Sequence, residues 1–296
     1  MRIHIESCGN YCIDEILEKH DIVLLDTGVT TSRNTHSWYE DHVFYAKYFS
    51  QLDSNLLSEV CENVETAKRL FLNPKIVTTE GVAYEIANHG KIAKDKLSWL
   101  RQREKLRSRK DKMRQDDYDF YTALKANSLA DVCFSLHKFH KDALKKIFNP
   151  DDRNKYNEIE KMVMNVVNNS GIKRESFSVY GEMGKFFTDE QLVASALYLS
   201  IVDNKNTAII STDSDIPIIL LKVKEYCSLE NRCGCKVLEK LCRNPIQPYL
   251  ISKNNKVGIA VETFDNNECI DEFSDERIKT INSVKKSIED SLLKII

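Results

Sequence analysis

One stretch constrains this chain more than any other: Thr188 to Pro217, TDEQLVASALYLSIVDNKNTAIISTDSDIP. It reads as a helix, a short polar turn, a buried strand, and then two carboxylates where the strand ends. Thr188 is placed to cap the helix. Gln191 takes the capping-box position, and Asp189 and Glu190 lie in the first turn, where the partial positive charge of a helix start favours acids. Leu192, Ala196 and Leu199 recur at helical spacing, and Ala194 and Ser195 are small enough for close packing on a sheet. Asn204 to Asn206 break the pattern. Ala208, Ile209 and Ile210 form an apolar run too short for a helix and suited to a strand covered on both faces. Ser211 and Thr212 close it, and Asp213 and Asp215 follow at once. Ligands of open α/β sheets bind beyond the carboxyl ends of the strands, so acids delivered there stand where chemistry collects.

The same construction occurs near the start of the chain. Asp21 to Gly28 reads DIVLLDTG, four apolar residues ending in Asp26 and a Thr-Gly turn. The plain alternative is that Asp26 only caps that turn. Pro74 to Thr79 predicts another short strand. A helix beginning near Thr79 puts Val82 and Ile86 one turn apart against the sheet, with Glu85 in its second turn near the carboxyl edge. Glu80 competes for that role and is equally a first-turn helix acid. Arg2 to Glu6 reads as a strand, Tyr11 to Lys19 as a helix, and Trp38 to Phe71 as mixed and helical.

Charge is spread unevenly. Residues 91–114, KIAKDKLSWLRQREKLRSRKDKMR, carry eleven Lys or Arg against three acids, a net +8. The net charge of the whole chain is −2, so the remainder carries −10. A basic segment on an acidic protein is an electrostatic footprint for a polyanion, and Arg101, Arg103, Arg107 and Arg109 are the candidate phosphate contacts. A solvated helix face is the alternative. Tyr118, Phe120 and Tyr121 follow and have the chemistry to stack on bases, although aromatic residues at helical spacing are expected in a core. His137 and His140 stand three apart beside Lys138 and Lys141, which favours a surface helix over a metal pair. The helical pattern runs to Phe148, and again from Glu158 to Val167.

Three regions follow: an α/β domain from residues 1–90 and 180–225, a basic helical insertion at 91–179, and a C-terminal hairpin and helix at 226–296. In the last, Cys227, Cys233, Cys235 and Cys242 lack the paired C-x-x-C spacing of a zinc ribbon. Pro245 to Phe264 predicts a hairpin turning at Asn254-Asn255. A final helix from Ser274 puts Ile278, Ile281, Val284, Ile288 and Leu292 on one face. That stripe is expected to dock on the domain; the other use is a seam for a second copy or a protein partner. The chain has 296 residues, 42% of them hydrophobic, enough for a sizeable core. No apolar run reaches the ~20 residues of a spanning helix, so no membrane partner is expected. Nine cysteines, an odd number without regular spacing, and no secretory apolar segment after Met1 point to a reducing, cytoplasmic setting.

Asp26, Glu85, Asp189, Asp213 and Asp215 thus come from separated parts of the chain and are expected at one edge of a parallel sheet. So many carboxylates together raise one another's pKa values and stay ionised only beside cations. Hard divalent ions with oxygen ligands, Mg²⁺ or Mn²⁺, relieve that repulsion and serve phosphodiester hydrolysis. In this order, LLDT, VTTEGVAYEI, TDEQLVASAL and IISTDSDI resemble the motifs of the PIN-domain family of metal-dependent ribonucleases. The resemblance covers roughly residues 20–90 and 180–225, and the last motif with its spacing from Asp189 is its most specific part.

The resemblance implies an α/β fold, a PIN-like parallel β-sheet flanked by helices, to which the chain adds the insertion, the hairpin and the last helix. It implies Asp26, Glu85, Asp189 and Asp213 as catalytic metal ligands for Mg²⁺ or Mn²⁺, Asp215 as a variable fifth acid, and Thr212 as a supporting hydroxyl. It also implies RNA as the substrate. Compact PIN toxins lack these additions, which points to a larger RNA-processing, regulatory or defence nuclease. The rival from another class is a non-catalytic RNA-binding or scaffold module, which has no reason to keep a repulsive acid cluster. A dehalogenase-like phosphatase needs a second Asp where Gly28 stands, and the chain has no G-x-x-x-x-G-K-[ST] phosphate loop.

Overall fold

The computed structural model describes residues 2–7, 13–29, 64–65, 68–107, 115–169, 188–211, 215–228, 232–251, 257–263 and 294. Among them six strands form one sheet: β1 (Arg2–Ser7), β2 (Ile22–Leu25), β3 (Ile76–Val77), β4 (Thr207–Ser211), β5 (Ile246–Ile251) and β6 (Val257–Thr263). Their order is β1-β6-β5-β4-β2-β3. β3, β2, β4 and β5 are mutually parallel; β6 runs antiparallel to β5, and β1 antiparallel to β6. The fold is therefore α/β, a parallel sheet flanked by helices with a C-terminal hairpin.

The helices are α1 (Ile13–Lys19), α2 (Glu80–Arg107), α3 (Gln115–Leu144), α4 (Arg153–Asn169), α5 (Thr188–Ile201), α6 (Asp215–Ser228) and α7 (Arg232–Arg243). Contacts divide the chain into two compact units. The first comprises Met1–Asp26, Lys75–Gly81 and Phe148–Ile296; the second comprises Thr27–Pro74 and Val82–Ile147. The first holds the whole sheet with α1 and α4 to α7.

At the centre of the first unit, Val23, Leu24 and Leu25 of β2 and Ala208, Ile209 and Ile210 of β4 have no solvent exposure. Burial on both faces is why these strands read as continuous apolar runs. They pair in parallel, Leu25 opposite Ile210. β5 tolerates Pro248, which cannot donate to a ladder, and β6 pairs with it from Tyr249 onward.

Every residue from Leu192 to Ile201 of α5 is buried. A helix apolar all round belongs in the interior, and α5 packs among α4, α6, α7, β4 and β5. α4 meets it with a stripe of Tyr156, Ile159, Met162, Val163, Val166 and Val167 at helical spacing. The Tyr198 hydroxyl accepts the Asp152 N–H at 2.8 Å, and its ring lies 5.6 Å from Phe148 and 6.1 Å from Tyr156. α4, expected within the insertion, groups with the sheet through this packing.

A polar clasp closes the amino ends of β2, β3 and β4 and takes in Tyr249 of β5. His20 Nδ1 lies 2.9 Å from Asn206 Oδ1, and His20 Nε2 lies 3.0 Å from the Tyr249 hydroxyl. The Asn206 N–H donates to Asp21 Oδ2 at 2.9 Å, and Lys75 Nζ donates to the carbonyls of Leu17 and His20 at 2.6 and 2.9 Å.

In the second unit, Val82, Ala83, Ile86, Ala93 and Leu97 form the buried stripe of α2. Leu129, Val132, Leu136, Phe139 and Ala143 form that of α3. Phe71 and Phe139 pack edge to face at 5.1 Å. The helix expected from Ser274 lies outside the described residues except Lys294, which is helical and pairs with Glu158 of α4 at 3.1 Å. Among the described residues no helix is long and apolar enough to cross a membrane.

Candidate functional site

The strand order reverses between β2 and β4: from β2 the chain moves to β3 on one side, and from β4 to β5 on the other. Ligands of open α/β sheets bind in the crevice beyond the carboxyl ends of two such strands. Asp26 is the first residue beyond β2, and Ser211 is the last of β4. The parallel register brings them side by side. The Asp26 N–H donates to the Ile210 carbonyl at 3.0 Å, extending the ladder by one step. Ser211 Oγ then donates to Asp26 Oδ2 at 2.6 Å. Asp26 is only 6% exposed. A carboxylate so buried is tolerable only when hydrogen bonds, an opposite charge or a metal offset its lost hydration.

Asp189 is the second residue of α5 and half-buried. Its helix start is tied to the segment after β3, because Gln191 Oε1 accepts the Gly81 N–H at 3.0 Å. Gln191 thus reaches another element, where the capping-box pattern predicts a bond within its own turn. Asp215 opens α6, half-buried, four residues past the end of β4. Pro217 sits in the first turn of that helix, where its missing N–H costs nothing. Asp213 and Thr212 lie outside the described residues.

Glu85 belongs to the second unit. It is half-buried on α2 and accepts the Thr27 hydroxyl at 2.5 Å. Glu80 is exposed at the first position of α2, as a helix-start acid would be. Of the candidate phosphate contacts, Arg101 is exposed on α2, Arg103 and Arg107 continue the same helix, and Arg109 lies outside the described residues. His137 is exposed and His140 half-buried on α3; burial, and secondarily the charge of His137, holds His140 below the usual imidazole range.

Asp26, Ser211, Asp189 and Asp215 carry hard oxygen donors, the chemistry that suits Mg²⁺ or Mn²⁺. Among the described residues no three or more His, Cys, Asp or Glu side chains are grouped closely enough to hold a metal ion. Ser211 is a supporting hydroxyl that motif reasoning passed over in favour of Thr212. Its signal was the construction itself: with two strand ends level, the residue beside Asp26 is the last of the partner strand. Compared with protein-family models, curated proteins and solved structures, the chain matches none.

Proposed function

We propose that this chain is a metal-dependent ribonuclease that hydrolyses RNA phosphodiester bonds, with Mg²⁺ or Mn²⁺ held by Asp26, Asp189 and Asp213 and Asp215 as an auxiliary acid. The observation that carries the reading is the buried Asp26 carboxylate at the β2/β4 reversal, with the Ser211 hydroxyl on its Oδ2. Asp213 follows Ser211 by two residues in the chain. The resemblance adds Glu85 to the ligand set; the proposal stands on the first unit's acids. A divalent cation supplies Lewis-acid stabilisation of phosphoryl charge and a more acidic water. The chain's own part is to hold the carboxylates in place. Ser211 donates to Asp26 Oδ2 and fixes the direction of that carboxylate. Arg101, Arg103, Arg107 and Arg109 hold the RNA backbone, and RNA as the polymer follows from the resemblance, as does a cytoplasmic setting from the cysteine pattern.

The test uses the full chain with single-stranded and structured RNA, in Mn²⁺, in Mg²⁺ and in EDTA. Cleavage with either metal, lost in EDTA and lost in Asp26→Asn while RNA binding persists, is the expected result. RNA binding without cleavage under any metal would replace the nuclease with a scaffold.

A further inference from the structure

We infer that the segment Thr78–Gly81 is a spacer that sets the separation of Asp26 and Asp189, with Gly81 and Gln191 as its positioning residues. This rests on the metal-site reading above and goes beyond it, because neither residue offers a ligand to the ion. At one end, Thr78 Oγ1 donates to the Leu25 carbonyl at 3.1 Å, directly before Asp26. The Phe148 N–H holds the Thr78 carbonyl from the other side at 2.8 Å. Thr78 and Thr79 are buried, so this end is anchored in the sheet. At the other end, three residues on, the Gly81 N–H is bonded to Gln191 Oε1 at 3.0 Å. Gln191 and Asp189 share the first turn of α5.

The contact at Gly81 leaves no room for a side chain. A Cβ there would lie 2.9 Å from Gln191 Oε1, 2.9 Å from Thr188 Oγ1 and 3.1 Å from Thr188 Cα. The first two are movable side-chain atoms. The third is backbone, so any residue but glycine drives the start of α5 away from the segment that follows β3. Gly81 lies in a helix, where glycine is unfavourable by about 1 kcal/mol relative to alanine. The close approach is what that choice serves. Asp189 is one residue from Thr188 and moves with it. Metal ligation tolerates displacements of only a few tenths of an ångström, so the spacer governs affinity for the ion without touching it.

The experiment measures Mn²⁺ binding to the full chain by calorimetry, for wild type, Asp26→Asn, Gly81→Ala and Gln191→Leu, with a cooperative thermal melt as the check on folding. Gln191→Leu keeps the bulk and removes the acceptor, and it decides the matter should Gly81→Ala fail to fold. The expected result is Mn²⁺ affinity lowered about 10- to 100-fold in both spacer variants, the range typical of groups that orient ligands. Both variants should still melt cooperatively. Spacer variants that bind Mn²⁺ as the wild type does, while Asp26→Asn does not, would overturn the spacer and leave the metal site standing. A wild type that binds no Mn²⁺ would overturn the metal site, and the spacer with it.

Discussion

At the scale of single residues, the contact between Ser211 and Asp26 makes the sharpest demand. A hydrogen bond to a charged group is worth about 1.5–3 kcal/mol net, and removing a partner from a buried acceptor costs on that scale. Ser211→Ala is expected to lower unfolding free energy by about 1–3 kcal/mol, read by urea denaturation. It should also weaken Mn²⁺ binding about 10-fold or more. A variant as stable as the wild type would show that the hydroxyl does not support the carboxylate. The cysteines give an independent check on α6 and α7. Burial pushes the Cys227 thiol up to about 12, whereas Cys242 is exposed. The thiolate is the reactive form. Iodoacetamide should therefore label the exposed Cys242 in the native chain and the buried Cys227 only after denaturation, as peptide mass spectrometry would show. Equal native labelling would contradict the burial of α6.

At the scale of elements, the clasp at the amino ends of the central strands responds to acid. Burial, the largest influence, holds His20 below its ordinary value of 6.5 despite its bond to Asn206 and the nearby charge of Asp21; Lys19 and Lys75 press in the same direction as burial. A histidine depressed in the folded state takes up its proton more readily when unfolded. Its contribution to stability is present above pH 6.5 and is lost as pH falls from there through the lower folded value. The melting temperature should drop over that window, and His20→Gln should flatten the drop while costing about 1–2 kcal/mol near neutrality. An identical pH profile in the variant would remove His20 as the cause. The sequence was informative about these elements in different degrees. β2 and β4 were legible because doubly buried strands leave short unbroken apolar runs, and the hairpin because two such runs flank a polar turn. That β4 lies beside β2 was not legible, since a strand's pattern says which faces are covered and not by what. The Gly81 contact was hidden for a related reason: a glycine in a helical stretch reads as a weakness until the neighbour pressed against it is known. α5 was seen as a helix with a packing face, yet its burial on every side depends on α4, whose own pattern carries no address.

At the scale of the whole molecule, charge decides how a polyanion would approach. The stretch 91–114 carries +8 within a chain of net −2, and Lys91, Lys94 and Arg101 stand exposed on α2. α2 has 28 residues, about 42 Å at 1.5 Å per residue, enough to run beside several nucleotides. Each phosphate neutralised on a single strand contributes about 0.7 to the slope of log affinity against log salt. Replacing Arg101, Arg103, Arg107 and Arg109 together with glutamine should reduce that slope by up to about 3 and weaken RNA binding at low salt. Mn²⁺ affinity should stay as it was, because the carboxylates do not depend on these side chains. The two titrations separate holding the polymer from holding the ion. Loss of salt dependence with Mn²⁺ binding intact would assign the basic helix to the RNA backbone. An unchanged slope would mean that the RNA meets the protein elsewhere, and that the positive charge of α2 is a solvated surface.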